Sequence, residues 1–316
     1  MKMSGLVEIS RSFTAMNTAV EVVVCAHCGE EKKAENALLL ALDIFTSVEA
    51  TLSRFNADSE LSRLNRSAGQ PFRASSLLFT VMTLAKSAAE TTGGIFDPAI
   101  LPFLLAAGYD RSFERLVEQS DLPAYEIKSR FTWRDIMLDA DSSTITIPAG
   151  AGIDLGGIGK GWTVDYAGQK LKDFPGFAID AGGDILLGGR RADGSVWPVG
   201  VVDPLNTREN LTVLELTDCA VCTSTTTRRS WQRGGYPGHH LIDPRRGKPA
   251  ESAVVSATII AESAARAEVI AKTALILGPE EGIQFIKNQP GVRGIMVLNN
   301  GSLLRSEAIL EAENVR

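Results

Sequence analysis

The chain has 316 residues and a formal net charge of −6, with 44% hydrophobic and 22% charged residues. That allows one large domain or two ordinary ones with an ample core. The acidic balance argues against a nucleic-acid partner engaged through a broad basic face, and the longest apolar run, near residues 37–44, is far too short to span a bilayer. Residues 1–14 carry Lys2 and Arg11 but no apolar signal core and no small-residue cleavage site, so the expected location is cytoplasmic.

Residues 13–25 read as one strand, with a β-branched run at Val20, Val22, Val23 and Val24. Residues 34–52 place Leu38, Leu42, Phe45, Val48 and Leu52 at helical spacing. A polar bend follows, with Asp58 or Ser59 as the N-cap of a short helix. Residues 75–92 form a second long helix ended by Gly93 and Gly94. Residues 100–108 read as a short apolar helix and 113–121 as a charged surface helix. From residue 131 strands take over: 136–139 and 144–147 as a hairpin, then 177–180 as a strand that 185–188 continue. Further strands are expected over 197–202, 211–216, 220–224 and 254–260, with a strand and turn over 239–249. Helices over 261–277 and 280–288 precede a last strand over 294–298, a hairpin to Leu303 and a polar tail over 306–316. This order predicts an α+β fold, mostly antiparallel, rather than a doubly wound sheet.

Four cysteines fall into two Cys-x-x-Cys pairs, Cys25 with Cys28 and Cys219 with Cys222. Two such pairs suit a zinc site, and one suits a redox pair. The alternative is reduced, partly buried thiols, and strand alternation would send Cys219 and Cys222 to opposite faces.

The densest chemical signal is the stretch Asp154-Leu155-Gly156-Gly157-Ile158-Gly159-Lys160-Gly161, which runs into a helix predicted from about Gly161 to Lys172. A Gly-rich turn opening a helix brings backbone N–H groups close to a phosphate at the positive end of the helix dipole. Lys160 would add a mobile positive charge, and Asp154 a ligand for a metal ion or a hydroxyl. The stretch matches neither the dinucleotide fingerprint nor the P-loop. A glycine turn that lets a helix pack closely on a sheet would use the same residues.

Seven stretches in order resemble the ApbE family, the FAD:protein FMN transferases. They are Met16-Asn17-Thr18; Leu52-Ser53-Arg54-Phe55 with Ser59-Glu60-Leu61-Ser62-Arg63-Leu64-Asn65; Gly94-Ile95-Phe96-Asp97-Pro98; the glycine stretch; Ala181-Gly182-Gly183-Asp184; Thr223-Ser224; and His240-Leu241-Ile242-Asp243-Pro244-Arg245-Arg246-Gly247. The resemblance implies a single ApbE-like, T-fold-like domain over residues 13–305, with mostly antiparallel sheets and flanking helices. It implies transfer of the FMN half of FAD to a Thr or Ser hydroxyl of a target protein with release of AMP, aided by Mg²⁺. A FAD pyrophosphatase giving FMN and AMP, and a catalytically weak FAD-binding protein of the same fold, are the alternative readings. On the family's pattern, Met16, Phe55, Ile95, Phe96 and Asp97 contact the flavin or ribityl part. Asp154 and Lys160 bind FAD, Asp184 supports the same wall, and the backbone near Gly157 reaches the metal. Phe55 would otherwise be a core residue, Asp97 a cap before Pro98, and Asp184 a turn closure. His240 is the base candidate, and His239 would contact the adenosine side.

One position departs from the family. Its metal ligands are an Asp and, four residues on, a Thr or Ser; here these positions hold Glu268 and Lys272, on one helix face. An ammonium cannot ligate a metal. It would repel a neighbouring unit charge by about 4 kcal/mol at 4 Å and an effective dielectric of 20, and a divalent ion by about twice that. The expectation is weak or absent Mg²⁺ binding there, with Lys272 pairing Glu268 or approaching the pyrophosphate. The competing arrangements are Lys272 turned to solvent with metal on Glu268, or an ion pair without a role.

Overall fold

The computed structural model describes residues 5–111, 130–227, 230–233, 236–306 and 313–314. Strands β1 (Leu6–Ala15) and β2 (Thr18–His27) form a hairpin, followed by α1 (Glu31–Leu52), α2 (Glu60–Arg66), β3 (Phe72–Arg73), α3 (Ser76–Thr91) and α4 (Leu101–Ala106). Then come β4 (Met137–Asp139), β5 (Thr144–Thr146), α5 (Gly159–Gln169), β6 (Gly176–Ala181), β7 (Asp184–Gly189), β8 (Trp197–Val202), β9 (Asn210–Leu216) and β10 (Ala220–Thr225). Two short hairpins follow, β11 (Ser230–Arg233) with β12 (Tyr236–His239) and β13 (Ile242–Asp243) with β14 (Lys248–Pro249). The chain closes with β15 (Val254–Ala261), α6 (Ala264–Leu277), α7 (Pro279–Lys287), β16 (Arg293–Leu298), β17 (Leu303–Arg305) and β18 (Glu313–Asn314).

Eight strands form one sheet in the order β1-β2-β6-β7-β10-β15-β16-β17, with every neighbouring pair antiparallel. Both faces of the sheet's central part are covered, so β15 and β16 are buried almost throughout and successive side chains enter different cores. The edge strand β1 instead alternates with exposed polar residues. Val24, Cys222, Ile259 and Met296 face the core shared with α1, α5, α6 and α7, whereas Cys25, Val221, Ile260 and Ile295 face a second core closed by β8 and β9. Cys219 and Cys222 accordingly lie in opposite cores. All four cysteines are free thiols, and Cys28 alone is exposed. No helix among the described residues is long and apolar enough to cross a membrane.

Two expected strands turn out to be hairpins. Residues 13–25 break at Met16 and Asn17, whose φ values of 52° and 56° form a two-residue turn joining β1 to β2. Asn adopts that conformation readily and Met does not, so the turn carried a weak sequence signal. Residues 177–188 likewise reverse at Gly182 and Gly183, with φ of 66° and 92°, so β7 returns beside β6 instead of continuing it. The helix expected over 113–121 lies outside the described residues. Of the expected polar tail, Ser306 is buried and its hydroxyl accepts a hydrogen bond from the Gly294 N–H at 3.0 Å, while Glu313–Asn314 pairs with β9.

Helices α5 and α6 meet near their N-termini and cap one another. The Asp165 carboxylate of α5 accepts from the Ala264 and Ala265 N–H groups that open α6, at 2.7 and 2.9 Å. The Glu268 carboxylate of α6 accepts from the Gly161 N–H in the first turn of α5, at 2.9 Å. The approach leaves no room for a side chain at residue 161. A Cβ there would lie 2.6 Å from the Ala264 carbonyl oxygen and 2.8 Å from the Ala265 Cα. Both obstacles are backbone, so Gly161→Ala forces the helices apart. The expected loss is about 1–3 kcal/mol of stability, read as a lowered midpoint in urea unfolding; an unchanged midpoint would show that the contact yields freely.

Candidate active site

The N-terminus of α5 opens onto a cleft with two compartments. The first is lined by Met16, Phe55, Ile95, Phe96, Asp97 and Asp154, among others, and the second by Gly182, Asp184, Thr223, Thr225, Thr258 and Glu268, among others. Gly156, Lys160, His240 and Lys272 line both, so these four mark the junction. The first compartment is the more aromatic and the second is walled by hydroxyls.

The glycine stretch divides its work by residue. Asp154 accepts from the Gly156 N–H at 2.9 Å, which turns the chain at the cleft wall. A Cβ on Gly157 would lie 2.8 Å from the Phe96 ring, with the Lys272 stem at 3.5 Å behind it. Gly161 serves helix packing, against α6 rather than against the sheet. The helix begins at Gly159, two residues before the sequence suggests, because Ile158 and Gly159 already bond back to the Leu155 carbonyl.

Two acid–lysine pairs cross the junction. Lys160 is paired with Asp184 and donates to the Ala181 carbonyl at 3.0 Å. Burial works against the Lys160 charge, but the Asp184 carboxylate, backed by Glu268, outweighs it and holds the ammonium above its ordinary pKa. Lys272 donates to Glu268 Oε1 at 2.8 Å, and Glu268 is buried with its other oxygen on the Gly161 N–H. Beneath these groups the Cys222 thiol contacts the Ala264 carbonyl at 3.3 Å, and burial with two nearby carboxylates pushes its pKa well up, leaving it protonated.

The first compartment holds a residue to which the sequence reading gave no role. Arg54 pairs with Asp154 at 2.6 Å and donates to the Tyr109 carbonyl at 2.9 Å, with both charged side chains mostly buried. Its guanidinium lies 4.1 Å from the Phe55 ring and 4.6 Å from the Tyr109 ring, which pack edge to face beside it. Phe55 is 39% exposed, so it is a wall of the cleft and not a core residue. Arg54 was visible inside the Leu52 to Phe55 motif, but a lone arginine after a helix ordinarily reads as a solvated side chain. Glu49 is a second unforeseen member: its carboxylate accepts from the Met16 N–H at 2.8 Å and fixes the positive-φ turn at the cleft. Asp97 caps the turn at Pro98 as well as facing the cleft, accepting from the Ala99 and Trp133 N–H groups at 2.8 and 3.1 Å.

The His240 segment is held by its own motif. Asp243 pairs with Arg245 at 2.9 Å and its carbonyl accepts from the Gly247 N–H at 2.8 Å. Gly247, at φ 67°, leaves space for the Phe103 ring, 2.7 Å from where a Cβ would stand. His239 lies outside the residues lining the two compartments. Its Nε2 is 3.0 Å from the Ala250 carbonyl and its Nδ1 accepts from the Leu241 N–H at 3.3 Å. Burial lowers its pKa, so it is a neutral ring bolting the segment that presents His240.

The antiparallel sheet carries a two-part cleft with a Gly-rich helix start and two lysines at the junction. The sequence profile of the ApbE family matches residues 16–296, and the chain belongs to that family. It is 29% identical over 294 residues to the FAD:protein FMN transferase of Treponema pallidum, covering 86% of this chain and 81% of that protein. It is 27% identical to the enzyme of the same name from Vibrio cholerae, covering 82% and 78%. Among solved structures, the ApbE protein of Thermotoga maritima superposes with a TM-score of 0.87 at 25% identity, over 98% of this chain and 100% of that one.

The Mg²⁺ that the resemblance implies does not fit the residues at its expected place. Each Glu268 oxygen already faces an N–H donor, and the residue that should add a hydroxyl is the ammonium of Lys272. Among the described residues no group of three or more His, Cys, Asp or Glu side chains is gathered to hold a metal.

Burial raises the Asp97 carboxyl from its ordinary 3.8 to about 6, against the two N–H groups that favour its charge. A raised folded-state pKa stabilises the fold fully below about pH 4 and loses that contribution as pH rises through about 6. Wild-type stability relative to Asp97→Asn is therefore expected to decline across that window and to be flat above it, in thermal melts at stepped pH. A constant difference would remove Asp97 as a buried titrating acid.

Proposed function

We propose that this chain is a FAD:protein FMN transferase that joins the FMN half of FAD to a Thr or Ser hydroxyl of a target protein and releases AMP. The observation that carries this reading is the convergence of Lys160, Lys272 and His240 where the two compartments meet. A dinucleotide with one half in each compartment has to pass its pyrophosphate across that junction. In this reading Met16, Phe55, Ile95, Phe96 and Asp97 take the flavin and ribityl part, against the Arg54–Asp154 wall. Lys160, oriented by Asp184, faces the pyrophosphate. His240 removes the proton of the acceptor hydroxyl, whose oxygen bonds to the FMN phosphorus while the bridging oxygen leaves with AMP. His239 positions His240 rather than touching FAD. Residues 13–305 act as one catalytic domain, and the four free thiols support a cytoplasmic setting.

Incubation of the protein with FAD and a hydroxyl-bearing acceptor protein tests the reading. Flavin fluorescence that stays with the acceptor after denaturing electrophoresis is the expected result. AMP formed equally without acceptor would instead make the enzyme a FAD pyrophosphatase, and bound FAD with no AMP would make it a binding protein.

His240→Ala is expected to slow transfer by about 10²–10⁴-fold in single turnover while FAD still binds. Full activity would pass the base role to another group. Asp154→Ala strips the partner from a buried Arg54 and should weaken FAD binding; unchanged calorimetric affinity would place Asp154 outside the FAD site.

A further inference from the structure

The ammonium of Lys272 is a built feature of the junction. Its stem packs at Gly157, 3.5 Å from where a Cβ would stand, and the missing side chain there leaves room for the Phe96 ring. Its head is fixed on Glu268 at 2.8 Å, and Glu268 is locked in turn by the Gly161 N–H. The lysine side chain is 14% exposed and that of Lys160 20%, and both line the two compartments. An ammonium has three N–H donors, so Lys272 keeps donors for the cleft after serving Glu268. A pyrophosphate crossing here meets one tethered cation from α5 and another from α6. Each Glu268 oxygen already accepts a hydrogen bond, and the group beside Oε1 is the Lys272 ammonium, whose charge repels a divalent ion there.

We propose that Lys272 is a built-in cation: its ammonium meets the pyrophosphate, and FAD binding and FMN transfer by this chain need no divalent metal. This rests on the transferase reading above. In the step, the acceptor oxygen bonds to the FMN phosphorus, the bond from that phosphorus to the bridging oxygen breaks, and AMP departs with that oxygen. The acceptor proton goes to His240. Lys272 hydrogen-bonds the leaving phosphate, where negative charge grows, and keeps its own protons. An ammonium gives fixed direction and one unit of charge, and Lys160 supplies the second.

The test measures FAD binding by flavin fluorescence in EDTA and in Mg²⁺, for wild type and Lys272→Thr, with Mn²⁺ titrated against each and followed by electron paramagnetic resonance. Wild type is expected to bind FAD equally in both buffers and to take up no Mn²⁺ at the junction. Lys272→Thr should bind FAD about tenfold to a hundredfold more weakly in EDTA, with affinity for riboflavin, which lacks the pyrophosphate, unchanged. Because this variant strands a buried carboxylate, the neutral pair Glu268→Gln with Lys272→Met is run beside it, with melts to confirm folding. It too should lose FAD affinity and leave riboflavin untouched. Mn²⁺ bound by wild type as tightly as by Lys272→Thr, or FAD affinity unchanged in both variants, overturns the proposal. Wild type that binds no FAD in either buffer overturns the transferase reading itself, and the proposal with it.

Discussion

The reciprocal capping of α5 and α6 is the constraint on which the rest of the molecule depends. Each helix lends a carboxylate to the other's opening amides, and a glycine at the crossing lets their backbones touch. Two positive helix ends brought so close would repel, and Asp165 and Glu268 offset that with acceptors and negative charge. The arrangement fixes where α5 starts, and with it the positions of Gly156, Gly157 and Lys160. It also sets the rotation of α6, which decides that Lys272 faces the cleft. The lysine-lined junction is thus a by-product of how two helices were made to approach.

Charge balance at that junction is local. Two lysines face two buried acids, and the Lys160 ammonium is kept charged although burial opposes it. A neutral resting cluster lowers the cost of desolvating four charges, because each has a partner at hydrogen-bond distance. The Arg54–Asp154 pair repeats the device in the first compartment, with the Phe55 and Tyr109 rings packed against the guanidinium. Ion pairs made from adjacent elements therefore stiffen a cleft whose lining comes from segments far apart in the chain.

Much of this was legible in the sequence because periodicity and glycine have simple physical meanings. The helix over 75–92 and the strand over 254–260 carried clean patterns, and a cap was legible at Asp58 or Ser59, of which Ser59 serves. The Glu268 and Lys272 spacing placed both side chains on one helix face, where they are found joined. What escaped depended on contacts between distant segments. The reversal at Met16 is stabilised by Glu49, 33 residues away, so nothing near Met16 announces it. The hairpin at Gly182 and Gly183 looked like one strand because both halves are buried and apolar. Arg54 took its importance from Asp154, exactly one hundred residues on, and His239 surrendered its ring to Leu241 and Ala250.

The distribution of thiols has a practical consequence. Burial pushes Cys25 and Cys219 up to about 11 and Cys222 well above the ordinary thiol range, so alkylating reagents find almost no thiolate at these positions. Cys28 is exposed, just past the far end of β2 from the Met16 turn. A ten-residue strand spans about 30 Å, which is the working range of resonance energy transfer. The native chain thus offers a single labelling point for a dye whose emission a flavin seated in the cleft would quench, turning nucleotide arrival and departure into an optical signal without any engineered cysteine.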